Sequence, residues 1–239
     1  MNRIIYILQI ILIFTCFQCK LNGQDYYEIN GVTIDSLNAP VDYVNIGIVN
    51  QNVGTVSNDF GVFHLRISKE FLNDSITFSR IGYFKKRICI CDLKKKNEST
   101  IVLDSKMTMI EGVKVVSKRL KRKRKGVVTR SESVVMMINS DTAQLGSEIG
   151  TFIQLPKEPV VLKDFNFHIT YNRPDSAIFR INIYECDNKV IGENLLDKNI
   201  YFKIKNEDSG DFKIDLSNYR VRASNKVFIA IESVAVHVS

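Results

Sequence analysis

Apolar and polar residues alternate along much of this chain with a period of two. Val44, Ile46 and Ile48 recur at every second position, as do Phe63, Leu65 and Ile67, then Ile76 and Phe78, Ile101 and Leu103, and Val113 and Val115. That period sends successive side chains to opposite faces of an extended strand, whereas a helix repeats near 3.6. Between these segments lie Asn38-Ala39-Pro40, Ser57-Asn58-Asp59, Asn73-Asp74 and the stretch from Lys94 to Asn97, all rich in turn formers. Six or seven short strands in about 90 residues predict a β-sandwich. The one helical hint is short, around Ser68 to Leu72.

A second segment begins at Val127, and its patterned part runs from about Leu145 to the end. Leu162, Phe165, Phe167, Ile169 and Tyr171 precede the turn Arg173-Pro174-Asp175. Phe179, Ile181 and Ile183 then alternate with Arg180, Asn182 and Tyr184, and runs at Tyr201–Lys205, Phe212–Leu216 and Val227–Ile231 follow. This pattern predicts a second antiparallel β-sandwich or a jelly roll. The fold class expected is therefore all-β. Its divisions are a signal peptide at 1–23, a first sandwich at 24–117, a basic linker at 118–144 and a second sandwich at 145–239.

The stretch GTVSNDFGVFHL, residues 54–65, poses a choice between a ligand loop and a turn. A calcium loop of the EF-hand kind places oxygen ligands at alternating positions and closes on a Glu. Here Asn58 and Asp59 are adjacent and are followed by Phe60 and Val62. A phosphate loop would end in Gly-Lys-Ser/Thr, which is absent. Asn and Asp tolerate turn geometry and Gly61 supplies a permissive backbone, so the stretch is expected to turn the chain between two strands.

Ordered along the chain, INGVTIDSLNAPVDYVNIGI, NVGTVSNDFGVFHL, DSITFSRIGY and TIVLDSKMTMIEGVKVV resemble the carboxypeptidase-like regulatory domain, a transthyretin-like or prealbumin-like β-sandwich. Gly31, Asp35, Pro40, Gly54, Thr55, Gly61, Phe63, Ser79, Gly82 and Tyr83 fit that family's pattern over about 90 residues. Thr33 departs from it where the opening usually has Val, and Ser57 and Asn58 take the Thr-Asp places of the turn. The resemblance implies a non-catalytic accessory module, found beside carboxypeptidase domains and at the front of outer-membrane receptors of Gram-negative bacteria. The enzyme of the family name is not implied, since none of His64, His168 and His237 opens a His-x-x-Glu pair.

The chain opens MNRIIYILQIILIFTCFQCKLNGQ, with a charge at Arg3 and apolar runs at 4–8 and 10–14. This has the shape of a secretory signal, with Gly23 as a cleavage point. The alternatives are a retained anchor and a lipoprotein acylated at Cys16 or Cys19. Past this leader, Cys89, Cys91 and Cys186 remain. On one continuous strand Cys89 and Cys91 would face the same side with Cα atoms roughly 7 Å apart, beyond disulfide reach, so buried unbridged thiols are expected. No further Cys or His nearby completes a zinc pattern.

The net charge of +7 is concentrated. Lys118, Arg119, Lys121, Arg122, Lys123, Arg124, Lys125 and Arg130 lie in one run, and outside it and the leader acidic residues outnumber basic ones. A nucleic-acid patch would ordinarily lead such a reading. Export and the lack of interleaved aromatics for base stacking lower that reading, so that a solvated linker comes first, then a contact with an anionic membrane or an envelope partner, with nucleic acid or protease-sensitive processing behind them. Arg119, Arg122, Lys123 and Arg124 are the candidates for that contact.

His64 and His168 alternate with core positions and are read as surface residues, and Asp208 and Asp211 flank a turn at Gly210. Arg180 and Tyr184 share what reads as the outward face of their strand, with Tyr171 nearby. Aromatic and Arg groups there could stack on a sugar or anchor a protein, or pack under a loop. No catalytic residues, metal ligands or cofactor are expected. The functional expectation is an exported, periplasmic or outer-membrane-associated adaptor, with a glycan or small-ligand binder as the alternative.

Overall fold

The computed structural model describes residues 26–93, 98–106, 121–126, 145–172, 174–187 and 190–237. The expected signal at 1–23, the Val113/Val115 strand and Arg119 lie outside these residues, as does most of the 118–144 linker. The described chain is nearly all β, as the alternation predicts. Among the described residues no helix is long and apolar enough to cross a membrane.

The first strands are β1 (Tyr26–Asp35), β2 (Asn45–Ile48), β3 (Gly54–Val56), β4 (Val62–Ser68), β5 (Ser75–Ser79), β6 (Lys86–Cys89) and β7 (Ser99–Leu103), with a single helical turn, α1 (Ile90–Leu93), after β6. They form two sheets, β4-β1-β7 and β3-β2-β5-β6. All pairings are antiparallel except β1 with β7, which is parallel. Inward residues of both sheets close one core: Ile29, Phe63, Leu65, Ile67 and Ile101 meet Ile46, Ile48, Ile76 and Phe78. The Phe63 and Phe78 rings touch edge to face at 5.7 Å, a favoured aromatic geometry. The expected helical turn is present as a 3-10 turn at Lys69–Phe71.

Gly31 follows from the parallel pairing. A Cβ there would stand 2.2 Å from the Ser99 carbonyl oxygen and 2.8 Å from the Phe63 ring, so at this first position of the β1–β7 pairing the close approach requires a residue without a side chain.

The later strands are β8 (Glu148–Gln154), β9 (Val160–Val161), β10 (Asp164–Ile169), β11 (Ser176–Asp187), β12 (Val190–Asn194), β13 (Ile200–Lys205), β14 (Gly210–Asp215), β15 (Arg222–Ala223) and β16 (Lys226–His237). All their pairings are antiparallel. The main sheet runs β12-β11-β16-β8, and β13 pairs the first half of β11 while β12 pairs its second half. Two-stranded ribbons, β10-β14 and β9-β15, complete the unit. Phe165, Phe202, Phe212 and Ile214 cover Ala177, Phe179, Ile181 and Ile183, the apolar face of β11.

Candidate functional site

The turn at 54–65 is architectural. The Asn58 side-chain oxygen accepts from the backbone N–H groups of Phe60 and Val62, at 3.0 and 2.9 Å, and Gly61 has φ +76°. The carboxamide oxygen is thus committed to the loop's own backbone. Beneath it, the fully buried Thr33 hydroxyl donates to the Val41 carbonyl at 2.7 Å, and Ser57 Oγ accepts the Val44 N–H at 2.9 Å. Thr33, Ser57 and Asn58 therefore lie at one locus, where they bind neighbouring loops together.

The sequence expectation for Cys89 and Cys91 is corrected. They form a disulfide with Cα atoms 5.3 Å apart, because β6 ends at Cys89 and the chain turns into α1 at Ile90. That bend shortens the distance that a straight strand would impose. Nor are the sulfur residues buried: Cys91 is exposed and Cys89 half-buried, while Ile90 between them is sealed in the core. Asp92 adds a carboxylate within 4.8 Å of both sulfurs. Cys186 is a buried free thiol.

The expectation that Arg180 and Tyr184 face outward is also corrected. β11 is covered on both faces, so Arg180 is 2% exposed and Tyr184 is half-buried. Four strands align the row Tyr201, Arg180, Glu232 and Glu148 across β13, β11, β16 and β8. Arg180 Nε donates to Glu232 Oε2 at 2.8 Å and Nη2 to Oε1 at 2.6 Å. Asn182 Nδ2 reaches Glu232 and Glu148, both at 2.6 Å, and the Tyr184 hydroxyl donates to Glu148 at 2.7 Å.

The same guanidinium crosses to the first sandwich. Its Nη1 donates to the Tyr43 carbonyl at 2.8 Å and its Nη2 to Asn45 Oδ1. Four of its five N–H donors are thereby used. Tyr43 holds φ +49°, a costly backbone for a bulky residue, and its ring meets Tyr201 edge-on at 5.2 Å. Arg80 braces the same loop through the Asp42 carboxylate at 2.6 Å and carbonyl at 2.7 Å.

Burial, then the Glu232 charge, push Glu148 up to about 7. Burial, then the Glu148 charge, raise the Tyr184 phenol, and burial raises Tyr201 against the opposing Arg180 charge. Against burial, which favours its neutral form, the Glu232 carboxylate holds the Arg180 guanidinium above its ordinary value. Two carboxylates with one strongly raised are also a pattern of acid–base sites. Here the pair lies between sheets, with Glu232 fully buried, and its hydrogen bonds join protein to protein.

Tyr171 is not part of this cluster. It is 66% exposed and precedes β11, while Tyr184 lies roughly 25 Å further along that strand at about 3.3 Å per residue. Arg122, Lys123 and Arg124 are exposed, as are Lys121 and Lys125 beside them. An open cleft of about 970 Å³ crosses the outer face of the β3-β2-β5-β6 sheet, bordered by Asn45, Thr77, Lys85, Arg87 and Ser147. His64 and His168 are exposed, paired with Asn30 and Asp211 at 2.7 and 2.8 Å. Asp208 caps its own turn through the Lys205 N–H at 2.7 Å.

Sequence reasoning missed Glu232, Glu148, Asn182, Asn45 and Tyr43 as members of one cluster. The available signal was Glu232, a lone charge in the apolar run VFIAIESVAV, because a charge in such a run requires a partner. No family model matches the chain, and no curated protein matches it.

Proposed function

We propose that this chain is a non-catalytic, exported cell-envelope adaptor, built on a module of the carboxypeptidase-like regulatory type, that holds two β-sandwich units in fixed relation and presents a basic surface to an acidic envelope protein. The observation that carries this reading is the span of Arg180. One buried side chain binds Glu232 in its own sheet and Tyr43 and Asn45 in the other unit. The polar groups of this cluster are used to join the units, and a joined pair offers two surfaces at a set spacing. Exposed positive charge lies elsewhere, on Arg122, Lys123 and Arg124 and on Arg87 at the cleft, where Lys85 faces Glu193 at 4.0 Å. Charge of one sign on an exposed surface steers a partner of the opposite sign.

The glycan alternative loses support because Tyr171 and Tyr184 stand far apart and Tyr184 is engaged with Glu148. Crosslinking in intact cells, followed by affinity recovery and mass spectrometry, tests the adaptor reading. Wild type should recover one envelope protein, and a variant with Arg122, Lys123 and Arg124 changed to Gln should lose it. Recovery of none, from a monomeric protein, would overturn the reading and send the work to glycan screening at Tyr171.

A further inference from the structure

We infer that the Cys89–Cys91 disulfide is a redox centre that exchanges with protein thiols, a role separate from the adaptor reading. Three observations converge. The bond joins residues two apart, and the loop entropy removed by a disulfide grows with loop length, so this one does little to restrict the unfolded chain. It ties nothing distant together, since both cysteines belong to the corner between β6 and α1. It is also reachable, with Cys91 exposed and β6 the terminal strand of its sheet.

The corner does not depend on the bond for its shape. Ile90 is fully buried, Leu93 is 4% exposed, and both pack into the first core. The Ile90 N–H donates to the Asp74 carbonyl at 3.0 Å. Reduction therefore leaves the two sulfurs side by side, held by apolar anchors that straddle Cys91. A pair that stays adjacent in both states can open and reclose without unfolding, as exchange requires.

The partner is a protein dithiol. One of its thiolates attacks Cys91 Sγ, the more exposed sulfur, forming a mixed disulfide and releasing Cys89 as a thiolate. The second partner thiolate attacks its own sulfur in that mixed disulfide, and Cys91 leaves as a thiolate. Two electrons pass to the Cys89/Cys91 pair, the partner ends as a disulfide, and the two partner protons end on the two cysteines. One chain oxidises one dithiol, or runs the reverse reaction when it starts reduced.

Equilibration of the full chain with buffers of reduced and oxidised glutathione, acid quenching, alkylation and peptide mapping tests this. Mapping separates Cys89 and Cys91 from the other cysteines. The expected result is a native protein partly reduced at this pair across the glutathione range, with a melting temperature shifted by no more than about 3 °C on reduction. A pair that stays oxidised in reduced glutathione until the protein is unfolded, or a melting transition lost on reduction, would overturn the proposal by making the bond a structural staple. Cys89→Ser should take up glutathione from its disulfide several-fold faster than Cys91→Ser. Equal rates would show the two sulfurs equally accessible and remove the preference for attack at Cys91.

Discussion

Arg180 and Glu232 stand directly opposite on β11 and β16 and bind side-on through two hydrogen bonds, with both residues at most 2% exposed. Removing one member of such a pair leaves an uncompensated buried charge, which costs about 3–5 kcal/mol. Arg180→Ala and Glu232→Ala should each lower stability by that order in denaturant titration. Changing both together, to Met and Leu, should cost less than the sum of the single changes, because neither charge is then stranded. Additive losses would show that the two side chains act independently.

Glu148 gives the chain a pH dependence with a definite sign. Its folded value is about 7 against an ordinary 4.5, so the folded state binds this proton more tightly than the unfolded state does. Its contribution is fully present below about 4.5, declines as pH rises toward 7 and is constant above that. The difference corresponds to ~3 kcal/mol. Glu148→Gln keeps an acceptor for Tyr184 and Asn182 without the charge, so it should raise stability at pH 8 and flatten the profile between pH 4.5 and 7. An unchanged slope in that variant would assign the dependence to another group.

The strands were legible because their pattern is local. Val44/Ile46/Ile48, Phe63/Leu65/Ile67 and Phe179/Ile181/Ile183 each record on their own residues which face is apolar, and each became a strand with that face inward. The buried cluster was not legible for the same reason. Arg180 alternates with apolar neighbours just as a solvent-facing residue would, and only the packing of β2 over β11 makes its face an interior one. Cys89 and Cys91 failed differently, since the argument from strand spacing assumed a strand that in fact ends at Cys89.

The turn that opened the choice between ligand and architecture has its own test. Asn58→Ala removes the acceptor for two backbone N–H groups and should cost about 1–2 kcal/mol. Gly61→Ala should cost more than about 1 kcal/mol, since φ is +76° and a Cβ would lie 2.4 Å from the Thr33 carbonyl oxygen. Added calcium should leave the melting temperature of wild type unmoved. A calcium-dependent rise that Asn58→Ala abolishes would restore the ligand-loop reading.

The basic segment gives the last prediction, and its physics separates a lipid surface from a protein partner. Each Lys or Arg near an anionic membrane is worth about 1 kcal/mol, an attraction that fades beyond the Debye length. If Arg122, Lys123 and Arg124 reach such a surface, binding to vesicles of anionic lipid should weaken steeply with added salt. Changing the three to Gln should then lower it by roughly a hundredfold. Vesicles of neutral lipid should bind neither protein. A contact with a folded acidic partner would keep part of its affinity at high salt, because apolar area buried beside the charges is not screened. Vesicle binding that is weak and indifferent to the three substitutions, beside partner recovery that depends on them, would place the function of this segment in protein recognition.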